Sequence, residues 1–227
     1  MISSEESILS NNKNKFTKNT FSITYTLLLT TAVITFIEAI RTPNPKIRHI
    51  LNLETCISCV ASYFYSIFIA KINKKNIEWN NITETRYIDW SITTPMMLLA
   101  LSLVLSMNSN TIIHLKIIAS IIILNYIMLL LGYLGEIKKI SRNVATFLGF
   151  IAFFTMYAII FINYVKPKYS RANYVIFGIY FIVWSLYGIV YLFDEETKNG
   201  ITNILDLTAK CIVGLGLWVY YTNIVYW

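Results

Sequence analysis

The chain has 227 residues, of which 56% are hydrophobic and 14% are charged, whereas a soluble domain is typically about 45–50% apolar and about 25% charged. This composition excludes an ordinary soluble enzyme and a disordered protein. The net charge of +7 does not indicate nucleic acid binding, because the 19 Lys and Arg residues lie mainly between long apolar runs. Each run has nearly the ~20 residues that cross a bilayer core, so the sequence predicts an integral membrane protein.

The first 20 residues are too polar for the apolar core of a signal peptide, and we expect them to form an exposed N-terminal tail, 1–20. Seven apolar segments follow, separated by short stretches that contain Pro, Asn, Gly and charged residues. The segments are expected at about 21–40, 47–70, 86–107, 111–134, 143–165, 172–193 and 201–226. We therefore predict an all-α membrane protein, a bundle of seven transmembrane helices that forms one domain, 21–227.

Four ionisable side chains lie inside these segments, where burying a charge is costly and usually serves a function. They are Glu54 in the second segment, Asp89 in the third, and Asp206 and Lys210 in the seventh. Asp206 and Lys210 are four residues apart and share one helix face, so one interpretation is a structural ion pair between helices. The other is covalent chemistry, because desolvation leaves a buried lysine with a nucleophilic amine suited to Schiff-base formation.

The third segment adds a polar stripe to this set. The positions i, i+3, i+4 and i+7, which lie on one helix face, hold Arg86, Asp89, Trp90 and Thr93. A single Trp or Thr in a helix is ordinary packing, but this stripe combines a cation, a carboxylate, an indole ring and a hydroxyl. Together with the seventh segment it predicts a nearly neutral buried cluster of two carboxylates, an arginine and a lysine.

The cysteines give no sign of a metal site. Cys56 and Cys59 form a CxxC pair, but no second Cys or His pair completes it, and we expect both to be small apolar helix residues. The sequence contains no phosphate-binding loop or catalytic triad. We therefore expect neither a bound metal nor a conventional enzyme.

The run RYIDWSITTP of the third segment and the run LDLTAK of the seventh resemble the signature motifs of the microbial (type I) rhodopsins, and the resemblance extends over all seven segments. It implies a pocket in the bundle for all-trans retinal, held as a Schiff base on Lys210. It also implies that Asp89 is the primary counterion and proton acceptor and that Asp206 is the second carboxylate. Arg86 and Tyr65 are expected to support these two carboxylates.

The same resemblance implies the walls of the retinal pocket, one position at a time. Thr93 matches the hydroxyl partner of the counterion, and Tyr187 matches a residue that hydrogen-bonds the second carboxylate. The implied pocket residues are Trp90, Thr93, Thr94, Met97, Met128, Gly132, Trp184, Tyr187 and Tyr191.

Several positions depart from the family's pumps. Such pumps usually carry a cytoplasmic carboxylic proton donor eleven residues after the counterion, and this chain has Ala100 there. Gly188 replaces the sixth-helix proline, Phe153 the fifth-helix tryptophan and Phe64 the proteorhodopsin histidine near the counterion. With these departures the chain is most similar to the rhodopsins of giant algal viruses, part of which are light-gated cation channels.

We therefore expect a retinal-based photoreceptor that acts as a light-gated cation channel, triggered by retinal isomerisation and deprotonation of the Schiff base. A channel needs polar side chains along a hydratable path, and carboxylates at a constriction select cations. The expected residues of this path are Glu54 as an inner gate, Asn203, Glu38, and the hydroxyl groups of Ser22, Thr26, Thr30 and Thr31. An alternative interpretation of Glu54 is a carboxylate at a helix start that compensates the helix dipole.

Two other functions stay open. A light-driven outward proton pump without the usual donor would need water or Glu54 to return the proton from the cytoplasm. A photosensor would use a slow return of the proton to prolong a signalling state that a partner reads. A photocurrent that reverses with voltage distinguishes a channel from a pump.

The resemblance implies a multi-pass protein with its N-terminus outside the cell and its C-terminus in the cytoplasm, although the Lys and Arg residues of the connections favour the opposite orientation by the positive-inside rule. The expected membrane is that of a virus-infected host cell. Expected partners are the lipid bilayer, monovalent cations, protons, and further copies of the chain in a homo-oligomer, a trimer or pentamer. Nucleic acid is not expected.

Overall fold

The computed structural model describes the backbone of residues 2–74 and 76–222, and the side chains from residue 15 onward within these ranges. Seven helices in this part of the chain are long and apolar enough to cross a membrane, which confirms the predicted all-α bundle. The helices are α1 (Ile2–Arg41), α2 (Pro45–Ile72), α3 (Trp79–Ser109), α4 (Leu115–Glu136), α5 (Arg142–Val165), α6 (Arg171–Val190) and α7 (Glu195–Thr222). Both α5 and α7 contain a π-helical turn, Phe161–Val165 and Leu207–Ile212.

Short connections join the helices, so consecutive helices cross the bundle in opposite directions. We refer to the end of the bundle at which α1 begins as the N-terminal side. The end at which α7 finishes is the C-terminal side.

Polar side chains determine where several helices begin and end. Asn44, Ser141, Ser170 and Asp194 precede α2, α5, α6 and α7, and each accepts a hydrogen bond from the backbone N–H three residues later. Such a cap satisfies an N–H group that has no partner inside the helix and contributes about 1 kcal/mol. Asn110 ends α3 with a φ angle of 53°, in the left-handed conformation that commonly closes a helix.

The N-terminal boundary differs from the prediction, because α1 begins at Ile2 and the expected tail, 1–20, is largely helical. Thr17 and Thr20 are also buried instead of exposed. The reason is close packing of α1 on α7: a Cβ atom on Gly200 would lie 3.1 Å from Thr17 Oγ1, and Thr20 Oγ1 accepts a hydrogen bond from Asn203 at 2.9 Å. These tertiary contacts extend the helix beyond its apolar segment.

Two further helices begin earlier than predicted, α3 at Trp79 instead of 86 and α7 at Glu195 instead of 201. Their first turns are polar, which conceals them from a search for apolar segments. The hydroxyl of Thr83 donates a hydrogen bond to Glu195 Oε2 at 2.8 Å, so polar side chains of the two turns are hydrogen-bonded to each other. The predicted end of the last segment at 226 lies outside the described residues.

The interior has an apolar half and a polar half. Between α3, α5 and α6 most of the buried side chains are apolar or aromatic, among them Leu101, Phe153 and Trp184. The face of α1 toward α2 and α7 is different, because it buries hydroxyl groups. This threonine face consists of Thr17, Thr20, Thr24, Thr31, Thr35 and Thr42. Their spacings of three, four or seven residues put them on one side of the helix, so a polar seam runs along α1.

Candidate functional site

Lys210 lies in the π-helical turn of α7, and its ammonium group sits between two buried carboxylates. Its Nζ is 3.2 Å from Asp89 Oδ2 and 3.1 Å from Asp206 Oδ1, and none of the three side chains is more than 1% exposed. Asp89 comes from α3, whereas the other two residues come from α7. The structure therefore brings together three of the four ionisable residues that the sequence places inside apolar segments.

The two carboxylates have unequal surroundings. Asp206 Oδ2 accepts hydrogen bonds from Tyr65 at 2.8 Å and from Arg86 at 3.2 Å. Its other oxygen accepts from Tyr187 at 2.8 Å and from the shared ammonium group at 3.1 Å. Among the described residues, Asp89 Oδ2 accepts from that ammonium group and Asp89 Oδ1 has no partner. Because donors stabilise the ionised form of a carboxyl group, Asp206 is the better stabilised anion and Asp89 the better acceptor for a proton.

Two threonines next to this cluster bond to the main chain of their own helix. Thr93, expected to contact the counterion carboxylate, donates to the main-chain oxygen of Asp89 at 3.0 Å instead, as buried helical threonines commonly do. Thr94 donates to the main-chain oxygen of Trp90 at 2.6 Å. It also accepts a hydrogen bond from Asn125 of α4 at 2.8 Å, which links α3 to α4 beside the site.

Arg86 is 2% exposed, and all three of its side-chain nitrogen atoms are hydrogen-bonded. Nε donates to Asn199 Oδ1 at 2.8 Å. Nη1 donates to the Tyr65 hydroxyl at 3.3 Å and to Asp206 at 3.2 Å. Nη2 donates to Asn203 Oδ1 and to the main-chain oxygen of Asn199, the latter at 3.3 Å. The guanidinium group is therefore held in one orientation beside Asp206.

A cavity extends from Lys210 between α3, α4, α5 and α6, and all the predicted pocket residues except Thr93 line it. Glycines make room for aromatic side chains in its walls: a Cβ atom on Gly132 would lie 2.7 Å from the Tyr87 hydroxyl, and one on Gly188 would lie 2.6 Å from the Phe150 ring. Most of the wall is apolar or aromatic. An apolar cavity with a buried amine at one end fits a long apolar molecule that carries one reactive carbonyl group.

Tyr191 lies at the end of this cavity nearest the N-terminal side. Its hydroxyl donates to the main-chain oxygen of Gly132 at 3.0 Å and lies so close to Gly135 that a Cβ atom there would overlap it. Burial raises the pKa of Tyr191 to about 12, so the hydroxyl keeps its proton and stays a donor. Tyr191 therefore ties the end of α6 to α4 as well as lining the cavity.

Four charged side chains close the bundle near this tyrosine, and we call them the ion quartet: Glu136, Arg142, Glu195 and Lys198. Lys198 Nζ is 2.7 Å from Glu136 and 2.8 Å from Glu195. Arg142 lies 3.1 Å from Glu136 and also pairs with Glu195. The quartet joins α4, α5 and α7. Sequence analysis missed it because its members are spread over 63 positions, and only the Glu195–Lys198 spacing of three residues was a local signal.

Asn199 connects the ion quartet to Arg86, and sequence analysis missed it too. Its side-chain N–H groups donate to Thr83 Oγ1 at 3.1 Å and to the main-chain oxygen of Glu195 at 2.8 Å, while its oxygen accepts from Arg86. A signal was present, because Asn199 lies four residues before Asn203, on the helix face that also carries Asp206 and Lys210.

Glu54 is buried on the other side of Lys210. Glu54 Oε2 would lie 3.0 Å from a Cβ atom on Gly214, which follows Lys210 by one helical turn, and Thr31 lies against the same position. Among the described residues, Glu54 Oε1 has no hydrogen-bond partner. Because Glu54 is more than two turns into α2 and 2% exposed, the alternative interpretation as a helix-start carboxylate is wrong.

The other expected path residues divide into two groups. Asn203 is buried at the Arg86 cluster and Thr31 beside Glu54, as the path requires. Ser22, Thr26 and Thr30 are exposed, because Ser22 lies about 200° around the helix from its neighbours on the threonine face. Glu38 is also remote from the cluster; it lies near the end of α1, 3.9 Å from Arg41. These four side chains are therefore not brought into the site.

Comparison with known proteins gives both a family match and a structural match. A family model described as bacteriorhodopsin-like protein matches residues 15–224 of this chain. The crystal structure of the viral rhodopsin OLPVRII is 40% identical in sequence and superposes with a TM-score of 0.87, covering 92% of this chain and 99% of that chain.

Curated proteins match over a shorter part of the chain. The opsin-like protein carO from Fusarium fujikuroi is 28% identical over 155 residues, which cover 62% of this chain and 48% of carO. Bacteriorhodopsin from Halobacterium salinarum is 26% identical over 156 residues, which cover 62% of this chain and 56% of bacteriorhodopsin. The chain thus matches about half the length of these two relatives.

Proposed function

The chain belongs to the bacteriorhodopsin-like protein family, as the motifs in α3 and α7 predict, and we propose that it is a retinal-binding photoreceptor that acts as a light-gated cation channel. One observation carries the channel proposal: buried carboxylates lie on both sides of Lys210. Asp206 lies one turn of α7 toward the N-terminal side, and Glu54 of α2 packs against Gly214, one turn of α7 toward the C-terminal side. The polar seam of α1 and these carboxylates together form a polar zone that passes Lys210.

The chemistry of the cavity supports retinal as the bound group. Lys210 provides the amine for attachment, and the walls at Trp90, Met97 and Trp184 suit an apolar polyene. When bound, retinal supplies the absorption of visible light and an isomerisation that turns the N–H bond of the lysine nitrogen. As the resemblance implies, we propose the all-trans isomer.

The residues of the chain determine where the proton on that nitrogen goes. Asp89 lies 3.2 Å from Lys210 Nζ, and its Oδ1 has no partner among the described residues, so Asp89 takes the proton. Asp206 stays ionised, because Arg86, Tyr65 and Tyr187 donate to it. The transfer removes both charges of the Lys210–Asp89 ion pair. An electrostatic contact between α3 and α7 is then lost, which loosens the polar seam beside it.

The polar seam provides groups for hydrated cations on both sides of the attachment residue. Toward the N-terminal side these are the first threonines of the threonine face, Thr20 and Thr24, and Asn203, whose main-chain oxygen accepts from Thr24 at 3.1 Å. Toward the C-terminal side they are Glu54 and the hydroxyl groups of Thr35 and Thr55, which are hydrogen-bonded to each other at 2.8 Å. A buried carboxylate at a constriction favours cations over anions. We therefore propose Glu54 as the inner gate for monovalent cations and protons.

Voltage-clamp recording of photocurrents from cells that express the chain with retinal tests this proposal. A channel carries current down the driving force, so the current should reverse sign when the cation gradient or the membrane voltage is reversed. Current that stays outward at every voltage would contradict the channel.

A substitution at Glu54 tests its role in the path. Glu54→Gln removes the ionisable group of the inner gate, and we expect the reversal potential in mixed cation solutions to shift or channel closing to change by at least about tenfold. The matched control is Glu84→Gln, because Glu84 is an exposed carboxylate of α3. Photocurrents of Glu54→Gln that equal those of the control would remove Glu54 from the gate.

A light-driven outward proton pump is the second candidate, and the position of Glu54 favours it as well. Ala100 is buried and cannot donate a proton, but the Glu54 carboxyl group packs against Gly214, one turn along α7 from Lys210, and would be the acid that returns a proton to the lysine nitrogen. A pump predicts outward current at all voltages and at least tenfold slower recovery after a flash in Glu54→Gln. The voltage dependence of the wild-type current separates the two candidates.

We further propose that the N-terminal side faces out of the cell and that the chain forms a homo-oligomer, a trimer or pentamer, in the bilayer. The acidic residues at the start of α7 and the family membership support this orientation. Labelling of Lys138→Cys and Lys166→Cys with a membrane-impermeant thiol reagent tests the orientation. Lys138→Cys should react from outside the cell, and Lys166→Cys should not.

A further inference from the structure

The position of Arg86 contributes to the unequal surroundings of Asp89 and Asp206. Arg86 supplies one of the donors to Asp206 at 3.2 Å. Its guanidinium group is also close to aromatic rings, with its central carbon 5.2 Å from the centre of the Phe21 ring and 4.8 Å from that of Phe68. Rings attract a cation without fixing its rotation. The hydrogen-bond acceptors must therefore set the orientation of the guanidinium group.

Two asparagine side chains of α7 provide those acceptors. Asn199 Oδ1 accepts from Nε at 2.8 Å, and Asn203 Oδ1 accepts from Nη2. Asn199 is 1% exposed and Asn203 is 0% exposed, so bulk water does not replace either oxygen. An Arg group has five N–H donors in a rigid planar fork, and fixing two arms from α7 leaves the third directed at Asp206.

The hydrogen bonds of each amide nitrogen keep its oxygen turned toward Arg86. Asn203 Nδ2 donates to Thr20 Oγ1 at 2.9 Å, and Thr20 uses its own proton to bond the main-chain oxygen of Thr17 at 2.7 Å. Thr20 is thus an acceptor for Asn203. A flipped amide would set N–H groups against the guanidinium N–H groups, which repel each other.

A second chain of hydrogen bonds, from Glu195 through Thr83, fixes the orientation of the Asn199 amide. Thr83 donates its proton to Glu195 Oε2 at 2.8 Å, so its oxygen is free to accept from Asn199 Nδ2 at 3.1 Å. Glu195 is paired with Lys198 and accepts. The ion quartet therefore orients Thr83, Thr83 orients Asn199, and Asn199 orients Arg86.

We propose that Asn199 and Asn203 are positioning residues that hold Arg86 on Asp206 and thereby make Asp89 the carboxylate that receives the proton in the light. This inference rests on the proposed function and identifies what selects the acceptor. In the step itself the N–H bond at Lys210 breaks, the nitrogen keeps the electron pair, and the proton bonds to a carboxylate oxygen of Asp89. No oxidant or reductant is required.

The physical reason is a competition between two anions for one proton. If Arg86 turns away, Asp206 loses the cation that Asp89 lacks, and both carboxylates then have Lys210 as their shared cation, although Tyr65 and Tyr187 still donate to Asp206. Each carboxylate lies about as far from Lys210 Nζ as the other, at 3.1 and 3.2 Å, so distance does not decide between them. Without the asparagine oxygens, Asp206 becomes a competing acceptor.

Infrared difference spectroscopy of the full chain with retinal tests the proposal. The experiment compares wild type, Asn199→Leu/Asn203→Leu, and the control Asn173→Leu, which removes a fully buried amide at the other end of the bundle. The carbonyl band of the newly protonated carboxyl group is assigned by adding Asp89→Asn or Asp206→Asn to each protein. We expect the band to belong to Asp89 in wild type and control, and at least half of it to move to Asp206 in the double variant.

A second measurement uses the same proteins without retinal, in lipid nanodiscs. Hydrogen exchange at the Arg86 Nε–H group, followed by arginine-selective ¹⁵N NMR, should be at least tenfold faster in the double variant than in wild type and control. Unchanged exchange would overturn the proposal, and so would faster exchange with the infrared band still on Asp89. If a variant binds no retinal and gives no infrared signal, the exchange rate still tests whether the two asparagines hold Arg86. Failure of wild type to form a pigment would instead overturn the proposed function.

Discussion

Lys210 and its two carboxylates place three charges among side chains that are at most 1% exposed, and the arrangement is stable because each charge has an opposite one beside it. A buried ion pair is costly to assemble but very costly to break by removing one partner, about 3–5 kcal/mol. Asp206 is further stabilised by hydroxyl donors and Arg86. Asp89 has only the ammonium group among the described residues, so its charge depends on Lys210.

Replacing the attachment residue tests the whole proposal at the residue scale. Lys210→Ala removes the buried amine, and we expect purified protein mixed with all-trans retinal to show no visible absorption band, because no other amine lies beside Asp89 and Asp206 in the described part of the chain. Lys15→Ala is the control, since Lys15 is exposed on α1, and it should form the pigment. A visible band in Lys210→Ala that survives washing would contradict the assignment.

At the scale of the helices, α7 carries most of the site on one face and α4 sets how closely its neighbours approach. Asn199, Asn203, Asp206 and Lys210 are spaced by three or four residues, and the π-helical turn Leu207–Ile212 then adjusts the register so that Gly214 meets Glu54. Such single π turns are common at functional sites. On α4, Gly135 lets α5 and Tyr191 approach its backbone.

A pair of glycine substitutions tests this packing. A Cβ atom on Gly135 would overlap the Tyr191 hydroxyl and lie 2.7 Å from the Cβ of Ala145, whereas one on Gly149 would meet nothing within 4 Å. We expect Gly135→Ala to destabilise the protein by about 1–3 kcal/mol through overpacking. Gly149→Ala should be neutral or stabilise it by up to about 1 kcal/mol, as alanine favours a helix. Thermal unfolding followed by circular dichroism measures both; equal midpoints would contradict the packing.

Considered as a whole, the bundle is closed by different chemistry at its two ends. On the N-terminal side the ion quartet joins α4, α5 and α7. On the C-terminal side neutral amides join α6 to α3: Asn173 of α6 donates to the main-chain oxygen of Leu105 at 2.9 Å and accepts from Asn108 at 2.9 Å. An ionic closure depends on the charges of its side chains, whereas an amide closure does not, so the two ends differ in sensitivity to pH.

A double-mutant cycle tests the ionic closure. Glu136 and Lys198 are 5% and 7% exposed and 2.7 Å apart, so salt screens their attraction little. We expect Lys198→Met and Glu136→Gln each to lower the midpoint of thermal unfolding, and the double variant to recover part of the loss, with a coupling energy of about 1–3 kcal/mol. Additive effects within about 0.5 kcal/mol would show that the pair does not contribute to closure.

The sequence by itself determined the number of helices, the family, and the residues at the centre of the site. Long apolar segments and ionisable residues within them are local properties, so Asp89, Asp206, Lys210 and Glu54 could be recognised without knowing any contact. The motifs around them predicted most of the residues that line the cavity. Thr93 shows the limit of that inference, because a local bond to its own helix displaced the implied contact with the carboxylate.

Only the tertiary structure decided which helix faces point inward, how far the helices extend, and which charges meet. Membrane helices are apolar on lipid-facing and buried sides alike, so periodicity did not separate exposed Ser22 from buried Thr20 and Thr24. The ion quartet and the hydrogen bonds of Asn199 join residues far apart in the chain. The inequality of the two carboxylates likewise results from donors on separate helices, which no local pattern encodes.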